Sequence, residues 1–242
     1  MLSPSIDKMK KLLFLLNILI LSVLTSCVDK EGEPSNQEYF NIDYSTVGNE
    51  NGYEYVDLGL SVKWATCNLG ASSPEELGDK YAWGEVQTKQ EFTWDNYMLC
   101  KDGDYRQLTK YVPQKYSSKV DLKNTQLDFE DDAARVHWGG TWAIPTASEI
   151  KELMNPDNCT WIRTWKNEVP GFEVISNING NSIFIPFTTN IDQEDYFGIY
   201  WSSTIVERVL PRNACAFYLQ GASSMTISYE RCWGWYIRPV LL

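Results

Sequence analysis

From Trp161 to Val240 the chain carries one strand pattern after another, and this limits what it can fold into more than any other feature. Trp161-Ile162-Arg163, Gly171-Phe172-Glu173-Val174 and Ser182-Ile183-Phe184-Ile185-Pro186-Phe187 alternate or run apolar. Tyr200 to Thr204, Ala214 to Leu219, Met225 to Ser228 and Trp235 to Val240 follow. Alternation at period two places every second side chain on one face of a sheet. Asn179-Gly180 is a strong hairpin signal, because both residues tolerate positive φ. Ahead of these strands lie two helix patterns. Asp128 to His137 opens with acids that suit a helix N-terminus, and Gly139-Gly140 ends it. Thr146-Ala147-Ser148-Glu149 is a capping box, Ile150, Leu153 and Met154 supply an apolar side, and Pro156 stops the helix. Two helices followed by many antiparallel strands predict an α+β domain.

The domain is expected to start near Gly52, with two short strands or a hairpin in Tyr53 to Ala65. From Ser72 to Asn124 no period is sustained, and the reading is long loops that cover the core with Trp83, Trp94 and Tyr97. With 242 residues the chain can bury a full core in one domain. The N-terminus reads differently. Lys10 and Lys11 precede an apolar run, Leu12 to Leu24, that ends in Leu24-Thr25-Ser26-Cys27. The run is shorter than the roughly 20 residues a bilayer-spanning helix needs. A basic start, a short apolar segment and small residues at a cleavage point form a secretory signal. The cysteine after it makes the segment resemble a bacterial lipoprotein signal, which implies lipidation at Cys27. The expected organisation is a signal peptide at 1–26, a flexible tether at 27–51 and a folded domain at 52–242. The tether reading rests on its acids, Gly32 and Pro34 and on its few apolar residues.

The formal charge is −11, and the leader that would be removed is itself basic. So acidic a chain does not suit DNA or RNA, which need a basic surface. It suits neutral ligands, cationic partners or plain solubility. Of six cysteines, five remain beyond Cys27. An envelope location permits disulfides, and Cys67–Cys159, then Cys215–Cys232, are the expected bridges, with one thiol left over. No Cys-x-x-Cys spacing supports a zinc or thioredoxin-like site. Ten tryptophans and fourteen tyrosines point to an aromatic core, a stacking surface, or both.

Four stretches together resemble one family. They are Tyr55 to Asn68 (YVDLGLSVKWATCN), Tyr81-Ala82-Trp83-Gly84-Glu85, Trp138 to Thr146 (WGGTWAIPT), and Tyr200-Trp201-Ser202-Ser203 with the ending Ile237-Arg238-Pro239-Val240. Across residues 53–242 the chain looks like the Fibrobacter-succinogenes-type major paralogous domain of Bacteroidota surface lipoproteins. Ile144 to Glu149 also resembles the helix start of formylglycine-generating-enzyme-like domains. Both resemblances imply a C-type-lectin-like fold: two helices flanking a small twisted antiparallel sheet, paired chain ends and long ligand-carrying loops. They also imply an outer-membrane, lipid-anchored protein at the cell surface. They do not carry an activity over, because Cys215 and Cys232 do not match the close cysteine pair of those enzymes.

Catalytic patterns are weak. His137, the sole histidine, falls at a helix end, Glu149 is used in capping, and Glu130, Asp131 and Asp132 suit a helix start. Asn155-Pro156-Asp157 and Trp94-Asp95-Asn96 look like calcium-lectin motifs in reversed order, and Asp102-Gly103-Asp104 lacks EF-hand spacing. No catalytic residue and no cofactor are expected, with calcium the one metal left open. The reading is a non-enzymatic surface lipoprotein that binds a glycan or protein through Trp94, Trp233 and Trp235. A structural or adhesion subunit and an envelope enzyme acting on glycans are the alternatives. Trp64, Trp142 and Trp201 sit within the family-like stretches near strands, and the resemblance implies that they belong to the core.

Overall fold

The N-terminal strands already depart from the expected tether. The computed structural model describes residues 47–112, 126–189, 196–205, 211–220 and 223–242. Strand β1 (Val47–Glu50) pairs antiparallel with β2 (Tyr53–Val56). Asn51 and Gly52 make the turn with φ of 55° and 87°, the positive pair that a two-residue hairpin needs. The Trp142 indole N–H donates to the Glu50 carbonyl at 3.1 Å, and Asn51 Nδ2 donates to the Trp138 carbonyl at 3.0 Å. These bonds hold residues 47–51 within the fold. The leader, Cys27 and the tether up to residue 46 lie outside the described residues.

The five-stranded sheet runs in the order β1-β2-β3-β14-β6, with β3 at Lys63–Ala65, β6 at Trp142–Ala143 and β14 at Val240–Leu241. The C-terminal strand thus lies between an early strand and a middle one. Arg238 locks this arrangement. Its guanidinium is buried and donates to the carbonyls of Ala65, Thr66 and Phe184 at 3.0, 2.6 and 3.0 Å. A two-stranded ribbon joins β4 (Cys100–Lys101) and β5 (Asp104–Leu108).

Strands β7 (Cys159–Lys166), β8 (Val169–Ser176) and β9 (Ser182–Pro186) form a meander with β7 at one edge. Asn179-Gly180 lies in the β8–β9 connection as expected, with Gly180 at φ 80°. The four-stranded sheet runs β10-β11-β12-β13, at Thr188–Thr189, Tyr196–Ile205, Asn213–Gln220 and Ser223–Glu230. Its alternation explains the core. Tyr200, Phe217 and Leu219 belong to one buried cluster with Trp64, Phe172, Val174 and Ile183. Ile199, Trp201, Ala214 and Ala216 point to the other face and join Trp83, Trp138, Trp142 and Ile144. One sheet therefore contributes to two cores. Trp64, Trp142 and Trp201 are buried as the sequence predicts.

The α+β, C-type-lectin-like expectation is overturned. Strands in four sheets dominate the described residues, and the two α-helices there have six and eight residues. Helix α1 (Ala133–Trp138) is shorter than the expected Asp128–His137. Asp132 caps it, accepting from Arg135 N at 3.0 Å, and its other oxygen accepts from Ile144 N at 2.8 Å. Phe129–Asp131 forms a separate 3-10 turn, and Gly139 at φ 68° ends α1. Helix α2 (Ala147–Met154) has the expected capping box: Thr146 Oγ1 accepts from Glu149 N at 3.2 Å, and Glu149 accepts from Thr146 N at 2.7 Å. Helices this short cannot cover the sheets. The strands, two of eight residues in the meander and three of eight to ten in the four-stranded sheet, cover one another.

Candidate functional site: an aromatic surface at the end of β13

Beyond Glu230 the chain passes from inside to outside. Arg231 and Cys232 are buried, Trp233 is 42 % exposed, and Trp235 is half-buried. Arg231 fixes this segment. Its guanidinium lies 4.7 Å over the Trp83 ring and donates to the Tyr111 carbonyl at 2.7 Å. Gly234 permits the turn outward, because a Cβ there would sit 2.5 Å from the Phe92 ring. Trp235 and Tyr81 exchange backbone bonds of 3.0 and 3.1 Å, which pins the far side.

Trp233, Trp235 and Tyr229 converge. The centroids are 5.9 Å apart for Trp233–Trp235, 5.6 Å for Tyr229–Trp233 and 5.3 Å for Tyr229–Trp235. The ring planes are inclined by 69°, 34° and 55°, so the rings enclose an angular surface rather than a flat stack. Tyr218 shares this face of the sheet through the β12–β13 register, and Phe197 stacks on it at 6.3 Å. Burial, with Tyr218 nearby, raises the Tyr229 phenol, which stays a neutral donor at physiological pH. The group offers apolar ring faces and a phenol hydroxyl, the chemistry that takes up sugar C–H faces or apolar peptide side chains.

Trp94 is placed elsewhere. Its indole N–H donates to a Glu230 carboxylate oxygen at 3.1 Å, and its ring meets Tyr97 at 5.3 Å and Tyr105 at 5.9 Å. The other Glu230 oxygen faces Arg212 at 3.1 Å, and Arg212 lies 4.9 Å over Tyr105. Tyr229 and Glu230 are neighbours on one strand and point to opposite faces, which separates the two aromatic groups. The structure thus brings Trp233 and Trp235 together and gives Trp94 an anchoring position. Tyr229 and Tyr218 were missed in the sequence. The signal was there, since Tyr229 lies at even spacing from Trp233 and Trp235, but the chain turn at Arg231 hides it.

The expected bridges are not formed: Cys67, Cys100, Cys159, Cys215 and Cys232 are free thiols. Cys159 packs in the first core cluster and Cys232 in a third one with Ala82 and Tyr97, while Cys215 faces Ser228 across the β12–β13 ladder. Burial pushes the Cys159 thiol up to about 11 and the Cys232 thiol up to about 12. Protonated thiols are poor nucleophiles and poor metal ligands.

The other polar candidates have structural partners. His137 Nε2 lies 2.7 Å from the Val86 carbonyl. Glu152 accepts from Ser61 N at 3.1 Å, and Asp104 is paired with Arg106 at 2.8 Å. Asn155 Oδ1 accepts from Asp157 N at 3.0 Å, closing the turn after α2, and Trp94–Asn96 forms a 3-10 turn. Among the described residues no three His, Cys, Asp or Glu side chains are grouped to hold a metal ion. A pocket lined by Val47, Val56, Pro74, Ile183, Phe184 and Lys166 has a volume of about 40 Å³, too small for a sugar ring.

Comparison with known protein families, with curated proteins and with solved structures finds no match to this chain.

Proposed function

We propose that this chain is a lipid-anchored surface protein that binds a glycan or protein ligand, without catalysis, on the aromatic surface of Tyr229, Trp233 and Trp235. The observation that carries the reading is the exposure of Trp233, 42 %, inside a cluster of three mutually contacting rings. A large aromatic left half in solvent beside two others is a recognition feature. The acidic charge of the chain suits a neutral or cationic ligand. The Leu24-to-Cys27 motif and the four family-like stretches support the surface-lipoprotein part. The test is a panel of host and plant glycans and surface proteins, probed with the leaderless chain carrying Cys27→Ser, in calcium and in chelator. Saturable binding that falls about tenfold or more in Trp233→Ala supports the reading. Its persistence in that variant refutes the assigned site.

A second reading, an assembly subunit, rests on β7. This edge strand exposes Ile162 at 38 % and Trp165 at 51 %, and open edges invite pairing with another chain. Sedimentation analysis decides it: concentration-dependent oligomers, lost in Ile162→Lys, support assembly, and a monomer at all concentrations rejects it.

A further inference from the structure

Two cysteines belong to one small hydrophobic cluster together with Trp94. Cys232 forms a small buried cluster with Ala82 and Tyr97, and Cys100, Phe92, Trp94 and Leu108 pack against it. Cys100 is half-buried, and its thiol donates to the Tyr97 carbonyl at 3.3 Å. Tyr97 itself is fixed, its hydroxyl donating to the Trp83 carbonyl at 2.7 Å. The other three cysteines lie elsewhere: Cys159 in the first cluster, Cys215 within β12 and Cys67 beside Thr66 Oγ1 at 3.6 Å. Cys100 and Cys232 alone among the five share one cluster. Cys100 also contributes, after burial and Glu230, to the rise of the Cys232 thiol.

We infer that Cys100 and Cys232 are a disulfide-forming pair, reduced in this structure and closed by exchange with an oxidised dithiol protein or a small disulfide. Cys100, the more accessible, loses its proton to solvent and attacks one sulfur of the oxidant, whose other sulfur leaves as a thiolate. Cys232 then loses its proton and attacks the Cys100 sulfur, forming the Cys100–Cys232 bond and expelling the second oxidant sulfur. The protein gives up two electrons and two protons, and the oxidant becomes two thiols. Burial raises both thiols, so exchange on the folded chain is slow near neutrality and quickens as pH rises. The bridge ties the loop of Trp94 to the segment that presents Trp233, and it closes a long chain loop, which constrains the unfolded state.

The test is oxidation of the folded chain carrying Cys27→Ser with oxidised glutathione in mildly alkaline buffer, followed by non-reducing digestion and mass spectrometry. The expected result is a cross-linked peptide joining Cys100 to Cys232. The thermal midpoint also rises by several degrees over the reduced protein, and Cys100→Ser abolishes the rise. Glutathione adducts without that cross-link, or a cross-link from either residue to another cysteine, overturn the inference. The peptide readout comes from the chain with both cysteines intact and does not depend on the folding of Cys100→Ser.

Discussion

Two groups of aromatic rings stand on opposite sides of the end of β13, made of the same residue types and put to different uses. On one side Trp94 and Tyr97 are tied down: the Trp94 N–H is spent on Glu230, which also holds Arg212, and Tyr97 is bonded to the Trp83 carbonyl, while Tyr105 lies at the outer edge, 39 % exposed and against Arg212. On the other side Tyr229, Trp233 and Trp235 contact one another, and Trp233 keeps much of its ring in water. The difference lies in polar commitment rather than composition. A ring whose polar atom and faces are all engaged is structure, whereas a ring held at its edges with a free face can take a ligand. Arg231 lies between the two groups and supports both, through Trp83 and Tyr111.

The largest effect expected is therefore at Arg231. Arg231→Ala strips buried carbonyls of their donor and should cost about 3–5 kcal/mol in denaturant unfolding, with loss of ligand binding as both groups loosen. Trp94→Ala should cost about 2–3 kcal/mol, through lost packing and the lost indole bond to one Glu230 oxygen, and leave ligand affinity within about twofold. If it removes binding with stability intact, the two sides have been assigned the wrong way round. Trp94→Phe sharpens this point: it keeps most of the ring contact and should cost about 1–2 kcal/mol for the lost bond to a carboxylate.

A pH effect follows from two buried tyrosines, Tyr81, which is paired with Trp235, and Tyr200 in the first core cluster. Burial raises the Tyr81 and Tyr200 phenols to about 12, from an unfolded value near 10. Below pH 10 both states are protonated and the contribution is complete. Above it the unfolded chain releases protons first, so stability falls as pH rises toward about 12. Thermal midpoints taken across that range should drop, and a flat profile would show that these phenols titrate alike in the folded and unfolded chain. The smallest stability effect is expected at Trp233, where Trp233→Ala should change unfolding by less than about 1 kcal/mol.

Local features were legible in the sequence. The Thr146–Glu149 capping box and the Asn179-Gly180 turn follow from spacing within a few residues, and the burial of Trp64, Trp142 and Trp201 matches what their place in the family-like stretches implies. The helix over Asp128–His137 was overextended because Asp132 answers to Ile144, a partner outside any helical period. The architecture was missed for a related reason. Whether strands stand as one sheet beneath helices or as several sheets covering one another depends on pairings such as β14 between β3 and β6, which join distant residues. The same holds for the cysteines, whose spacing says nothing about which cluster each enters. Of the three tryptophans expected at the ligand face, Trp233 and Trp235 share one surface. Trp94 has another partner because Glu230 happens to end β13 beside it.

The measurement that tests the central claim most directly is a binding titration of parent chain, Trp233→Ala and Trp94→Phe against the strongest hit from the glycan and protein panel, with thermal midpoints recorded for each. The account predicts that Trp233→Ala loses about tenfold or more in affinity at nearly unchanged stability, while Trp94→Phe loses stability and keeps affinity. Full affinity in Trp233→Ala, or loss of affinity in Trp94→Phe at parental stability, would contradict it.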